Sequence, residues 1–339
     1  MSLTLELLRL IGSPFVSKTL EMDWDEIFEL YRYAVKNRMS FLYLEARSRQ
    51  GNLGKLETLY DKERIRYLET LEAIYKVSKV LTDSDIQHAI FKTLRPYRFN
   101  TVDIDSLVFG HRNDYLRAIR SMEKAGYEML LEGPRSTTLR DPRTKLGVDL
   151  YEQVAVSFIS YMDKEKLVDF VTTVELPNGN YVKALKPEAD LAAIIAHGIV
   201  KEQMYTLSEY YTYIHYLKQL KIDDFVQIVK QNNITSATRT HTALTALLHK
   251  AAHKTVPNGL QQILNDLGEE TFETTLLIQN KFETPYKYRM LTVARSLLEL
   301  TKDKKCRSSI PTQILHMLDL EFTKDFLRDL MKHMVRETY

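Results

Sequence analysis

Cysteine is almost missing: Cys306 stands alone among 339 residues, so the chain can form no internal disulfide and no four-cysteine zinc site. Tryptophan is equally scarce, with Trp24 the only one against 20 tyrosines. No apolar run reaches the roughly 18 residues that a spanning helix needs, which argues against a membrane partner. The opening Met1-Ser2-Leu3-Thr4-Leu5-Glu6 lacks the basic stretch and apolar run of a secretory signal, and the expected location is the cytoplasm. An excess of one charge is lacking too. With 47 basic and 45 acidic residues the formal net charge is +2, so any groove for nucleic acid would have to be local.

What is present is the composition of an ordinary globular chain, 44% hydrophobic and 27% charged, at a length that calls for two or three sub-domains. Residues 1–82 read as a helical segment. Trp24–Val35 repeats its apolar residues at three and four, with Asp23 placed as a cap. After a break at Gly51 and Gly54, a second helix runs from about Asp61 to Leu81, carrying Ile65, Leu68, Leu71, Ile74, Val77 and Leu81 on one side. From 83 to 186 the pattern shortens to strands: 86–94, 101–109, 127–131, 136–140, 147–154, 171–176 and 181–184, with a helix over 113–125. The Asn178-Gly179 pair marks a hairpin turn between the last two strands. From 187 to 339 the chain reads as helices, beginning with 187–203 and ending with 322–336. The fold class is α+β: a small mixed β-sheet flanked by an N-terminal helical segment and a C-terminal all-helical domain.

The chemistry concentrates in Thr101-Val102-Asp103-Ile104-Asp105-Ser106-Leu107-Val108-Phe109. On a strand, residues two apart share a face, so Asp103 and Asp105 project side by side among apolar neighbours. Two such carboxylates repel unless a cation neutralises them. A third, Asp149, lies in the apolar run Gly147-Val148-Asp149-Leu150-Tyr151. Three carboxylates on two neighbouring strands suit Mg²⁺ (or Mn²⁺) and an in-line displacement at phosphorus.

These residues, with Ile90-Phe91-Lys92-Thr93-Leu94, Arg98, Ala125-Gly126-Tyr127 and Lys186-Pro187-Glu188-Ala189-Asp190-Leu191, resemble an uncharacterised nucleotidyltransferase family of the polymerase-beta-type superfamily. The resemblance covers about Trp24 to Leu267. It implies a nucleotidyltransferase palm over 83–186, with Asp103, Asp105 and Asp149 as metal-binding and catalytic carboxylates. It further implies nucleotide contacts from Lys92, Thr93, Arg98 and Lys201, the last on the helix that follows the sheet. The reaction implied is transfer of a nucleoside monophosphate from a nucleoside triphosphate, with pyrophosphate released. The acceptor would be a hydroxyl of RNA, a protein or a small molecule. Three departures bear on this. Arg98 lies one residue further from Asp103 than the family's usual Arg. The family's Gly followed by Ser or Gly, which lets the backbone approach the triphosphate, is replaced by Lys92-Thr93, and its frequent His two residues after the third acid is replaced by Tyr151. The altered loop keeps open a weakly active or inactive scaffold on the same fold, and the same chemistry would serve a toxin of a toxin–antitoxin pair. His249 and His253, four apart, have helical metal-pair spacing but no acid in the metalloprotease pattern.

Overall fold

A computed structural model describes residues 2–16 and 24–335, so Asp23 and residue 336, assigned to helices above, lie outside the described residues. Four helices come first: α1 Leu3–Ile11, α2 Trp24–Lys36, α3 Ser40–Arg49 and α4 Glu57–Asp83. The spacing of Ile27, Leu30 and Ala34 puts all three on the buried face of α2. In α4 the stripe is only half used. Leu71, Ile74, Val77 and Leu81 are buried, whereas Ile65 and Leu68 are 56% and 54% exposed, because the first half of this long helix turns a different face inward, setting Tyr60 and Tyr67 against Phe41 of α3.

The strands follow: β1 His88–Ile90, β2 Asp103–Val108, then α5 Arg112–Lys124, β3 Glu128–Glu132, β4 Ser136–Arg140, β5 Gly147–Tyr151, β6 Val154–Val156, β7 Ile159–Met162, β8 Val171–Glu175 and β9 Tyr181–Leu185. Among the described residues seven of them form one sheet in the order β3-β4-β5-β2-β1-β9-β8. The sheet is mixed: β2 runs parallel to β5 and β1 parallel to β9, and the remaining neighbours are antiparallel. The strand expected over 86–94 is cut to three residues because the chain turns sharply at Phe91–Thr93. The one expected over 147–154 ends at Tyr151, and its tail joins a separate hairpin, β6–β7.

The rest is mostly helical: α6 Pro187–His197, α7 Leu207–Tyr216, α8 Ile222–Gln231, α9 Thr235–His253, α10 Asn258–Leu267, α11 Phe272–Gln279, α12 Met290–Leu300, α13 Lys304–His316 and α14 Leu320–Val335. It is not all helical as expected, because the short segments Met204–Tyr205 and Tyr286–Lys287 pair as an antiparallel ladder. The helix expected over 187–203 stops at His197 and passes into a π turn, Gly198–Glu202, which Gln203 closes in the left-handed conformation at φ +54°. None of the described helices is long and apolar enough to cross a membrane.

Period-two alternation sends each strand's side chains to two different cores. Ile90, Ile104, Val108, Val148 and Leu150 pack with α4 and α5 in one cluster. Ala89, Phe91, Leu107, Tyr151 and Leu185 face the other cluster, which also takes Leu7 and Leu8 of α1, the α6 interior and Leu244 and Leu248 of α9. Asp103 and Asp105 share the parity of Leu107, and Asp149 that of Tyr151. All three therefore point to the side of the sheet where α6 lies.

Candidate active site

The register of β2 and β5 sets Asp105 directly beside Asp149 and Asp103 beside Gly147. Adjacent strands lie about 4.8 Å apart, so the acids from the two strands are neighbours. The partner of Asp149 across the ladder is Asp105 rather than Asp103, which stands one step further along the same face. Val102, expected among apolar neighbours, precedes the strand and is 54% exposed.

The electrostatics follow from this crowding. Burial, with the Asp105 and Asp149 charges next, pushes the Asp103 carboxyl up to about 7, against the pull of Lys92 and Arg38. Burial and then Asp105 raise Asp149 as well, opposed by a hydrogen bond that Thr138 Oγ1 donates to Asp149 Oδ1 at 2.6 Å. Asp103 and Asp149 are held above the ordinary carboxylate range, and hard oxygen donors without sulfur suit Mg²⁺ or Mn²⁺. The residues therefore fit a divalent cation in kind. Among the described residues, however, no three His, Cys, Asp or Glu side chains are gathered as a ligand set. Local partners account for two of the three carboxylates: Asp149 is held by Thr138, and Asp105 Oδ2 lies 3.4 Å from the ammonium of Lys92.

Lys92 is placed by its backbone. It sits at φ +58°, a left-handed conformation that glycine adopts without strain and lysine does not. Its N–H donates to Asp190 Oδ1 of α6 at 2.5 Å, and Asp190 Oδ2 accepts from Tyr216 at 2.7 Å. Thr93 locks the other side of the turn: the Asp105 N–H donates to Thr93 Oγ1 at 2.8 Å, and the hydroxyl donates to the Phe91 carbonyl at 3.2 Å. The Lys92-Thr93 pair thus makes a tight turn. Thr93 supplies the latch and Lys92 bears the strain.

From this turn the Lys92 side chain runs between the rings of Phe91 and Tyr151, with Nζ 4.6 Å from each centroid. Nζ also lies 3.4 Å from His197 Nδ1, which the Tyr161 hydroxyl approaches at 3.1 Å, while His197 Nε2 faces Glu202 Oε1 at 3.1 Å. An ammonium has only donors, so Nδ1 must accept and Nε2 must carry the proton. Burial first, and Lys92 second, hold this histidine down at about 4, which keeps it neutral. His197 and Glu202 are five residues apart, the repeat of a π turn, so the register slip after α6 is what lets them meet.

A cavity of roughly 330 Å³ opens over Asp103 and Asp105. Cationic side chains on its wall are Arg38, Lys92, Arg95 and Lys201; Glu202, Glu209, Phe99, Tyr151 and His197 complete most of the rest. Arg38 and Arg95 also lie over the Phe99 ring, at 5.6 and 5.5 Å. Of the residues expected to meet a nucleotide, Lys92 and Lys201 line this space, while Thr93 stands behind it as the latch. Arg98 does not line it: the side chain is half exposed and paired with Glu45 Oε1 at 2.9 Å on α3. Arg95, three residues earlier, takes the place expected for it. Arg38 and Arg95 come from turns outside the strands, and neither has a spacing that ties it to the acids. His249 is occupied elsewhere: Nδ1 meets the Thr255 carbonyl at 2.8 Å and Nε2 meets Ser13 Oγ at 3.3 Å.

No family model matches the chain, and no curated protein does. Among solved structures, that of the STING-associated CdnE c-di-GMP synthase from Capnocytophaga granulosa is similar over 86% of this chain and 98% of its own, at 13% identity and a TM-score of 0.34. A likeness at that score says nothing of this chain's chemistry.

Proposed function

We propose that the chain is a nucleotidyltransferase that moves a nucleoside monophosphate from a nucleoside triphosphate to an acceptor hydroxyl. One observation carries this reading: Asp103 and Asp105 open onto a cavity walled by the four cations Arg38, Lys92, Arg95 and Lys201, with Asp149 beside Asp105 on the neighbouring parallel strand. Mg²⁺ or Mn²⁺ held by Asp103, Asp105 and Asp149 would supply charge neutralisation at the reacting phosphate. Arg38, Arg95 and Lys201 bind the triphosphate through charge-assisted hydrogen bonds to its oxygens. Asp149, its affinity for a proton raised by burial and by Asp105, accepts the proton of the attacking hydroxyl. The Phe91–Thr93 turn, pinned by Asp190 and by the Asp105 amide, fixes the backbone against which the phosphates lie.

Purified chain incubated with each labelled nucleoside triphosphate, Mn²⁺ or Mg²⁺ and total RNA should yield labelled product and pyrophosphate. Asp103→Ala and Asp105→Ala should each lower transfer at least about a hundredfold, because charge stabilisation of a transferring phosphoryl group contributes several kcal/mol. Arg95→Ala should chiefly raise KM, since its contact with phosphate is made before the transition state. A second reading, a binding protein without catalysis, draws on the Lys92 ammonium seated against Asp105. Equal transfer by wild type and Asp103→Ala would favour it.

A further inference from the structure

We propose that the Lys92 ammonium holds the place of a divalent cation beside Asp105, and that an incoming ion binds only by displacing it. This inference rests on the metal-dependent reading of the same three acids and adds the step that precedes it. Lys92 Nζ is 3.4 Å from Asp105 Oδ2, and the two side chains are only 5% and 11% exposed, so the pair is largely withdrawn from solvent. The position is built rather than accidental. The left-handed backbone at Lys92, the amide bond to Asp190 and the Thr93 latch to the Asp105 amide aim the side chain at the acids. The Phe91 and Tyr151 rings wall its path. An ion coordinated by Asp105 would lie about 2.0–2.6 Å from that oxygen, too close for an ammonium to keep its present contact. His197 Nδ1, already 3.4 Å from Nζ, gives the displaced ammonium a partner at the cavity wall, and the phosphates of an arriving nucleotide give it a better one. Ion and nucleotide should therefore strengthen each other's binding, because each relieves the other of the same displaced charge.

The test is Mn²⁺ binding to the full chain without nucleotide, followed by electron paramagnetic resonance of free Mn²⁺. Lys92→Met and Lys92→Gln, measured in parallel so that one remains if the other fails to fold, should bind Mn²⁺ roughly tenfold more tightly than wild type or better. Lys201→Met removes the same charge from the same cavity without touching Asp105, and should change the affinity by less than about threefold. Adding Asp105→Asn to Lys92→Met should cancel the gain. Unchanged or weaker binding in both Lys92 variants overturns the proposal. So does an equal gain in Lys201→Met, which would make it a matter of overall charge, or a gain that survives Asp105→Asn. Nucleotide transfer is assayed separately on the same proteins. Failure of transfer with the Mn²⁺ pattern intact overturns the activity alone, and transfer without that pattern overturns displacement alone.

Discussion

Asp103 is a residue whose charge works against the fold. Its carboxyl titrates near 4 in an unfolded chain and at about 7 here, so between those values the folded chain binds more protons than the unfolded one. The stability tied to that proton is complete below about 4 and is lost as pH rises through about 7. His197, held down at about 4, acts with the opposite sign: its contribution is complete above its unfolded value near 6.5 and is lost as pH falls toward 4. Comparing wild type with Asp103→Asn in the presence of a chelator separates the two. The variant should melt a few degrees higher at pH 8 and lose that advantage by pH 4; parallel curves would show that Asp103 bears no such load. At this scale the sequence was informative about the acids, because a period of two puts Asp103 and Asp105 on one face whatever surrounds them. It was silent on Arg38 and Arg95, whose arrival at the cavity depends on how turns pack, and it pointed to Arg98, which Glu45 holds elsewhere.

Among the elements, α4 shows what an apolar stripe can and cannot say. The repeat from Ile65 to Leu81 is continuous in the sequence, yet only its second half meets the sheet and α5. Leu68→Ala should change stability by no more than about 0.5 kcal/mol, as at other exposed positions, whereas Ile74→Ala should cost about 2–5 kcal/mol. Chemical denaturation of the two variants checks this, and equal losses would place the first half of α4 inside a core. Many strand identities were legible, since β4 falls where the pattern put it, whereas β7 was not foreseen. Nor was the π turn. Nothing in Gly198-Ile199-Val200-Lys201-Glu202 separates it from ordinary helix. It goes with side-chain contacts that the local pattern does not reveal: Glu202 meets His197, and Glu209 approaches Gly198 so closely that an added Cβ would lie 2.6 Å from its Oε1.

For the molecule as a whole, the three acids link cation binding to folding. Mg²⁺ or Mn²⁺ should raise Tm by mass action, by roughly 1.4 kcal/mol at ten times Kd, and Asp103→Asn or Asp149→Asn should abolish most of that rise. A melting temperature blind to millimolar cation in the wild type would remove the ion from the site. The larger of the two apolar clusters has a consequence of another kind. It joins Leu7 and Leu8 of α1 to Leu244 and Leu248 of α9, so α1 is buried against a helix that is made much later. At about 5–20 residues per second a ribosome needs roughly 10–50 s to travel between them. For that interval the part of α1 that meets α9 waits uncovered on the nascent chain, although α2 and α3 can already pack beside it. Production of this protein should accordingly depend on chaperones that hold emerging hydrophobic segments, far more than its final, well-covered core would suggest.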